Sequence, residues 1–167
     1  MNCSECERIK HKKNIVYEDQ LAAAFLLEKP STGGHVALVP KEHQPIVEKI
    51  SDDLFGHLIS VANKISIAAF EVLGAHGTNI LISNGVAAGQ RTAHVMVHII
   101  PRAENDGLNL QWQATKLSED ELKTVQLTIK EALEKPMTEE REEVKEEEIE
   151  EIPEEENYLL KQLERTP

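Results

Sequence analysis

The most informative segment of the sequence is GQRTAHVMVHIIPR, residues 89–102. Between Ala93 and Ile100, histidines and a methionine alternate with aliphatic residues. Alternation with a period of two predicts a half-buried β-strand, whose successive side chains lie on opposite faces of a sheet. One face of this strand would carry His94, Met96 and His98, and the other Val95, Val97 and Ile99. Because imidazole is costly to bury without partners, the histidine face is a candidate for chemistry.

The loop before this strand offers several hydrogen-bond donors. It begins at the turn Asn84-Gly85 and ends in Gln90, Arg91 and Thr92. Backbone N–H groups of a glycine-containing loop can form a nest that holds a phosphate group. Taken alone, the loop is a weak signal for a phosphate site, because most such loops are only turns.

The rest of the domain predicts four further strands and two helices. Short runs of apolar residues are bounded by turn residues such as Gly33-Gly34, and apolar residues recur at helical spacing after Ser51. Ser51 is a candidate N-cap, and Ser118-x-x-Glu121 is a capping box. The predicted elements are strands 14–17, 22–26, 35–39, 79–82 and 93–100 and helices 52–73 and 118–133. This order predicts an α+β fold with a mainly antiparallel sheet.

The two cysteines of the chain, Cys3 and Cys6, form a Cys-x-x-Cys motif. Two cysteines cannot staple a domain of this size, so the motif indicates metal binding or redox chemistry in a reducing compartment. The polar N-terminal stretch lacks the apolar segment of a secretion signal, and no run of about 18 apolar residues is present. We therefore expect a cytoplasmic protein that does not span a membrane.

Charge divides the 167 residues into segments. The net charge of −12 argues against bulk binding to nucleic acid, and most of it lies in residues 134–167, with fourteen Glu against five Lys or Arg. We predict a compact domain over 1–134, a disordered acidic linker over 135–157 and a short apolar and basic motif over 158–167. We interpret the leucines of that motif as a docking site for a protein partner. The alternatives are a frayed end, a segment folded back on its own domain, and a tail that only confers solubility.

Residues 89–102 resemble the signature of the histidine triad (HIT) superfamily, in which histidines alternate with hydrophobic residues between Gly-Gln and Ile-Pro-Arg. VYEDQLAAAFLLEKPSTGGHVALVPKEH (16–43) and ISNGVAAGQ (82–90) are similar to further family motifs, and the resemblance covers roughly residues 3–115. It implies a five-stranded antiparallel sheet with two helices and a homodimer. It also implies a purine nucleotide or nucleotide conjugate as ligand, with nucleotidyl hydrolysis or transfer at the α-phosphate.

The sequence departs from the family pattern at two positions. The resemblance implies a nucleophilic histidine at residue 96, but a methionine thioether has no proton to exchange and is a poor nucleophile toward phosphorus. Met96 is therefore predicted to be inactive at the nucleophile position, which leaves His98 as a weaker catalytic candidate. Leu27 stands where the family usually has an aspartate that binds the ribose hydroxyls.

Other roles follow from the resemblance alone. His98 matches the third histidine, which helps to hold phosphate, and His35 matches a histidine that supports the catalytic imidazole. The implied nucleotide-binding residues are Ser83, Gln90, Thr92 and His98.

The resemblance also sharpens the interpretation of the cysteines. A subset of the family binds structural zinc through Cys-x-x-Cys, the histidine of Pro-Lys-x-His and the first histidine of the triad. The matching residues here are Cys3, Cys6, His43 and His94. Two thiolates and two imidazoles complete a tetrahedral Zn²⁺ site and leave no open position for catalysis.

Three functional hypotheses result, and whether the protein is an enzyme stays open at this stage. The first is a HIT-family nucleotide-binding protein with lost or weakened nucleotidyl hydrolase or transferase activity. The second is an active hydrolase of dinucleoside polyphosphates or nucleoside phosphoramidates with an altered mechanism. The third is a dimeric scaffold that recruits a partner through its C-terminal motif. Met96 and Leu27 favour binding over turnover.

Overall fold

The computed structural model of the chain describes residues 3–134. The predicted linker and C-terminal motif lie outside these residues, so the disorder and docking predictions remain predictions. The chain divides into two compact units, with the boundary between Trp112 and Gln113. Each unit is described by itself. The predicted domain end at residue 134 therefore also remains a prediction.

Within residues 3–134, five strands form a single sheet in the order β1-β2-β3-β5-β4. The strands are β1 (Ile15–Glu18), β2 (Ala22–Leu26), β3 (Val36–Pro40), β4 (Gly77–Ile82) and β5 (Val97–Arg102). Every neighbouring pair is antiparallel. The predicted α+β fold with a five-stranded antiparallel sheet is confirmed.

The α-helices within the described residues are α1 (Ser4–Lys10), α2 (Asp52–Leu73) and α3 (Glu119–Glu134). The predicted cap of α2 forms, since the N–H of Leu54 donates to the Ser51 hydroxyl at 3.3 Å. Gly74 ends this helix in the left-handed conformation, with a φ of 63°, which glycine adopts without steric cost. The capping box of α3 also forms between Ser118 and Glu121. Only α1 has no counterpart in the predicted elements.

Helix α2 covers one face of the sheet. Its buried residues Leu58, Val61 and Ala62 pack against alternate residues of the strands, among them Leu38 and Val97. Length and composition would allow α2 to cross a membrane, but a helix that packs on the core of its own sheet meets the same criteria. Near the end of α2, Val72 is one of the apolar residues that recur at helical spacing, but it is 76% exposed.

Strand β5 begins later than predicted. The prediction started it at Ala93, whereas the ladder with β3 and β4 begins at Val97. In the preceding segment the N–H of Val95 donates to the carbonyl oxygen of Gln44 at 2.7 Å, outside the sheet ladder. The predicted alternation nevertheless holds, because Val95, Val97 and Ile99 all lie in the core under α2. The histidine face therefore points away from α2.

Candidate functional site

Four side chains from three parts of the chain meet at the start of the histidine face. Cys3 caps α1 and Cys6 lies in its first turn, whereas His43 follows β3 and His94 precedes β5. Their ligand atoms all lie within 4.8 Å of one another. The shortest separations are 3.3 Å from Cys3 Sγ to His94 Nδ1 and 3.5 Å from Cys6 Sγ to His43 Nδ1. The structure thus brings together all four residues predicted as metal ligands.

The spacing of this cluster fits a tetrahedral ion. Zinc lies about 2.3 Å from thiolate sulfur and about 2.0 Å from imidazole nitrogen, which places sulfur and nitrogen about 3.5 Å apart along a tetrahedral edge. Three of the sulfur–nitrogen separations, at 3.3 to 3.6 Å, agree with that edge, and all the ligand atoms lie within 4.8 Å of one another. The cluster could therefore hold a metal ion.

The second nitrogen of His94 is fixed by the backbone. Its Nε2–H donates to the carbonyl oxygen of Pro40 at 3.0 Å, so Nδ1 keeps its lone pair and faces the cysteines. Burial lowers the pKa of His94, which keeps the imidazole neutral. A metal-binding histidine is commonly oriented by such a hydrogen bond to its other ring nitrogen. This contact explains why a fully buried histidine is tolerated here.

A cavity of about 350 Å³ lies beside the cluster, and His94 is part of its wall. It collects the residues that the sequence singled out on two separate segments. The predicted residues that line it are Ser83, Gln90, Thr92, Met96 and His98. The loop before β5 and the histidine face therefore form one site.

His35 and His98 form a directed hydrogen-bond chain in the wall of this cavity. The N–H of Ser31 donates to His35 Nδ1 at 3.1 Å, so His35 carries its own proton on Nε2. That Nε2 lies 3.0 Å from His98 Nδ1, which therefore accepts, and the His98 proton resides on Nε2. Burial lowers the pKa of both imidazoles, that of His35 to about 4 with a further contribution from His98. His98 is thus a neutral hydrogen-bond donor.

The partner of His35 differs from the one that the resemblance implied. His35 was expected to support the imidazole at position 96, but its ring bonds His98. It sets the tautomer of the third histidine of the pattern. A histidine at position 96 is therefore not required for this pair to form.

The two departures from the family pattern lie together. Leu27 and Met96 both pack against the apolar cluster of Phe25, Ala37 and Val39, on the sheet face opposite α2. Both also line the cavity. Part of its wall is therefore apolar and has no group that can exchange a proton.

Gln90 braces the loop through its side chain. Its amide nitrogen donates to the carbonyl oxygens of Pro45 at 2.7 Å and Thr92 at 2.8 Å, and its Oε1 accepts from the N–H of Gly85. Both amide hydrogens are thereby used within the protein. Gln90 shapes the predicted phosphate loop, and its side chain has no donor left for a ligand.

The cavity also contains residues that sequence reasoning did not assign to the site. They are Glu5, Lys29, Ser31 and Gly89, whereas the sequence had already pointed to His35 and Arg91, which also line the cavity. Arg91 lies in the loop already singled out for its donors, so its sequence position was a usable signal. Lys29 follows β2 and Glu5 lies on α1, and no local pattern links either residue to β5. The two cations, Lys29 and Arg91, suit an anionic ligand.

Comparison with known proteins identifies the family. The HIT domain model matches residues 8–105, more than half of the chain. This chain belongs to the HIT family. The sheet order and the cavity described above are thus those of a HIT domain.

Among curated relatives, the HIT chain is 41% identical over 93 residues to an uncharacterised HIT-like protein of Methanocaldococcus jannaschii, covering 56% of this chain and 71% of the relative. It is 33% identical over 124 residues to adenylylsulfatase HINT3 of Arabidopsis thaliana, covering 73% of this chain and 61% of that protein. It is 31% identical over 128 residues to an adenosine 5'-monophosphoramidase of Schizosaccharomyces pombe, covering 75% and 93% respectively.

Solved structures agree with the fold. A HIT family member from Bacillus subtilis superposes with a TM-score of 0.73 at 31% identity, covering 78% of this HIT chain and 96% of the other. A zinc-bound histidine triad family protein from Mycobacterium smegmatis gives a TM-score of 0.62 at 28% identity, covering 80% and 99%.

Proposed function

We propose that this HIT protein binds a nucleotide or nucleotide conjugate in the cavity, and that its nucleotidyl hydrolase or transferase activity is lost or strongly weakened. Met96 is the observation that carries the proposal, because it lines the cavity at the position where the family pattern has its nucleophile. A thioether cannot serve as a general base, and it forms no stable bond to phosphorus under physiological conditions. The protein thus binds the nucleotide but has no nucleophile to form a covalent intermediate with it.

The cavity keeps groups suited to an anion. His98 presents a neutral N–H, and Lys29 and Arg91 supply positive charge. Charge-assisted hydrogen bonds to phosphate are about twice as strong as neutral ones. Relatives described as an adenylylsulfatase and an adenosine 5'-monophosphoramidase support an adenosine 5'-phosphate group as the ligand.

His98 is a poor substitute for the missing nucleophile. An attacking imidazole needs a free lone pair, but His98 Nδ1 accepts the proton of His35, and Nε2 carries its own proton. If the His98 proton moved from Nε2 to Nδ1, the hydrogen bond between His98 and His35 would reverse its direction. His35 would then carry its proton on Nδ1, opposite the N–H of Ser31. The geometry therefore favours binding over a rerouted hydrolysis.

We also propose that the ion of the four-residue cluster is Zn²⁺ in a structural role. Cys3, Cys6, His43 and His94 would hold it, and the zinc-bound neighbour supports this identity. Four protein ligands fill the coordination sphere, so the ion would cross-link α1 to the segments beside β3 and β5 and supply no reactive water.

Calorimetric titration with AMP tests the binding proposal. We expect one AMP per chain, and about tenfold weaker binding by His98→Ala because a hydrogen bond to a charged phosphate is lost. The matched control is His76→Ala, at an exposed histidine outside the cavity lining. Absence of AMP binding by the unchanged protein would contradict the proposal and favour the scaffold hypothesis.

We propose a homodimer formed through α2 and β4. On α2, Ile67, Phe70 and Leu73 follow one another at helical spacing and are more than half exposed, and β4 is an edge strand of the described sheet. Aligned apolar side chains beside an open strand edge are typical of an association surface.

Analytical ultracentrifugation tests the dimer. We expect the unchanged protein to sediment as a dimer and Phe70→Glu to shift it to monomer, because a charge would then be buried at the interface. Gln20→Glu adds the same charge on the exposed β1–β2 turn and should leave the dimer intact. A monomeric unchanged protein, or a dimeric Phe70→Glu variant, would refute the interface.

A further inference from the structure

Glu5 is a buried carboxylate in the wall of the cavity. Its residue is 6% exposed, and it lies in the first turn of α1. Long charged side chains are rarely this buried unless they are paired or coordinate a metal. Its contacts therefore need an explanation.

The contacts of Glu5 leave part of the carboxylate without a partner. The hydroxyl of Ser4 donates to Oε2, and the thiol of Cys3 lies 3.9 Å from the same oxygen. Within residues 3–134, no donor bonds Oε1, and no Lys, Arg or His lies within ion-pair distance of the carboxylate. One oxygen of a buried anion is thus left for a group that enters the cavity.

The metal cluster does not account for Glu5. The four ligand atoms of Cys3, Cys6, His43 and His94 already form a complete tetrahedral set, and Glu5 is not part of it. A carboxylate also repels the phosphate of a nucleotide, so it cannot belong to the phosphate-binding end of the cavity. It suits an uncharged part of the ligand that carries O–H or N–H groups, since an ionised carboxylate only accepts hydrogen bonds.

We infer that Glu5 is a specificity-determining residue, which accepts a hydrogen bond from a neutral donor on the nucleoside part of the ligand. This inference rests on the proposed nucleotide-binding function. The cavity then has two ends, with Lys29, Arg91 and His98 for the phosphate and Glu5 for the nucleoside. A nucleoside offers two such donors, the sugar hydroxyls and, in adenosine, the exocyclic amine. The side chain of Leu27, which also lines the cavity, offers no acceptor for either.

Three ligands distinguish these donors in calorimetric titrations of the zinc-loaded full chain. AMP carries both donors, 2',3'-dideoxy-AMP lacks the sugar hydroxyls, and purine riboside 5'-monophosphate lacks the amine. We expect the unchanged protein to bind AMP about tenfold more tightly than one of the two analogues, because a charge-assisted hydrogen bond is lost. The analogue that binds weakly identifies the donor.

The variants Glu5→Gln and Glu5→Ala should reduce that preference to about threefold or less, since the charged acceptor is gone. Glu7→Gln, an exposed glutamate on the same helix, is the matched control and should keep the full preference. Unchanged metal content in each variant shows that the neighbouring cluster is intact.

The outcomes separate this inference from the proposed function. A preference for AMP that disappears only in the Glu5 variants supports the role of Glu5. Equal binding of all three ligands by the unchanged protein, or an undiminished preference in Glu5→Gln, overturns that role while leaving nucleotide binding established. Absence of AMP binding by the unchanged protein overturns both.

Discussion

Replacing Met96 by histidine is expected to raise the turnover of adenosine 5'-phosphate conjugates by at least about 10³-fold. Loss of a covalent nucleophile costs about 10⁶-fold in a well-studied two-step hydrolase, so restoring one recovers a large part of such a factor even with imperfect geometry. The substitution is also sterically mild. Met96 is partly exposed and lines the cavity, so an imidazole of similar volume has room there.

The surrounding groups are already arranged for this gain. His98 presents its neutral N–H through the chain from Ser31 and His35, which does not involve residue 96. A donor fixed in advance stabilises charge on a phosphoryl oxygen without reorganisation during the reaction. An imidazole at position 96 would meet a bound phosphate beside that donor.

The measurement is AMP release from adenosine 5'-phosphoramidate, adenosine 5'-phosphosulfate and diadenosine tetraphosphate, followed by chromatography. Met96→Leu is the matched control, because it keeps an apolar side chain and adds no nucleophile. Equal turnover by the unchanged protein and by Met96→His would show that another group attacks phosphorus and would support the altered-mechanism hypothesis. If neither turns over, the loss extends beyond the nucleophile, and the scaffold hypothesis gains support.

Most of the strands and helices could be predicted from local sequence patterns. The caps at Ser51 and Ser118 and the alternation around Val97 depend on neighbours a few residues apart, so they can be recognised in one sequence. The start of β5 was misplaced because alternation continues through residues 93–96, although the backbone of that segment bonds to Gln44 and not to a strand. Helix α1 was missed because its seven residues are too few to show a clear apolar period.

Those residues of the candidate site that belong to a sequence motif or match the family pattern could be predicted. The metal residues and five cavity residues were found in this way. The pairing of His35 with His98 joins residues 63 positions apart, and the packing of Glu5 into the cavity depends on where α1 lies. Neither contact can be predicted from a local sequence pattern. Gln90 is a different case. Its side-chain donors are evident from the sequence, but the sequence does not show that both amide hydrogens bond backbone carbonyls within the protein.

Loss of the metal is expected to destabilise the protein by about 3 to 4 kcal/mol, which corresponds to a fall in Tm of about 10 °C. An ion that binds only the folded state stabilises it by this amount when its free concentration is about 100 to 1,000 times its Kd. Cys3→Ser should abolish stoichiometric binding, because a serine hydroxyl is a poor zinc ligand at neutral pH and the remaining Cys6, His43 and His94 leave the tetrahedral set incomplete. Elemental analysis of the purified protein and thermal unfolding with and without a chelator measure both effects.

Loss of the metal should also perturb the cavity. His94 lies two residues before Met96, in a segment that is not part of the hydrogen-bonded sheet. Apart from the contacts among the four metal-binding side chains, the described hydrogen bonds of that segment are the one from Val95 to Gln44 and the one from His94 to Pro40. We therefore expect AMP binding to weaken together with zinc loss in Cys3→Ser, whereas His11→Ala, at an exposed histidine beside α1, keeps both. If the unchanged protein is purified without metal and unfolds at the same temperature as the Cys3→Ser variant, the structural metal site is contradicted. Zinc loss with unchanged AMP affinity would instead show that the segment before β5 is held without the ion.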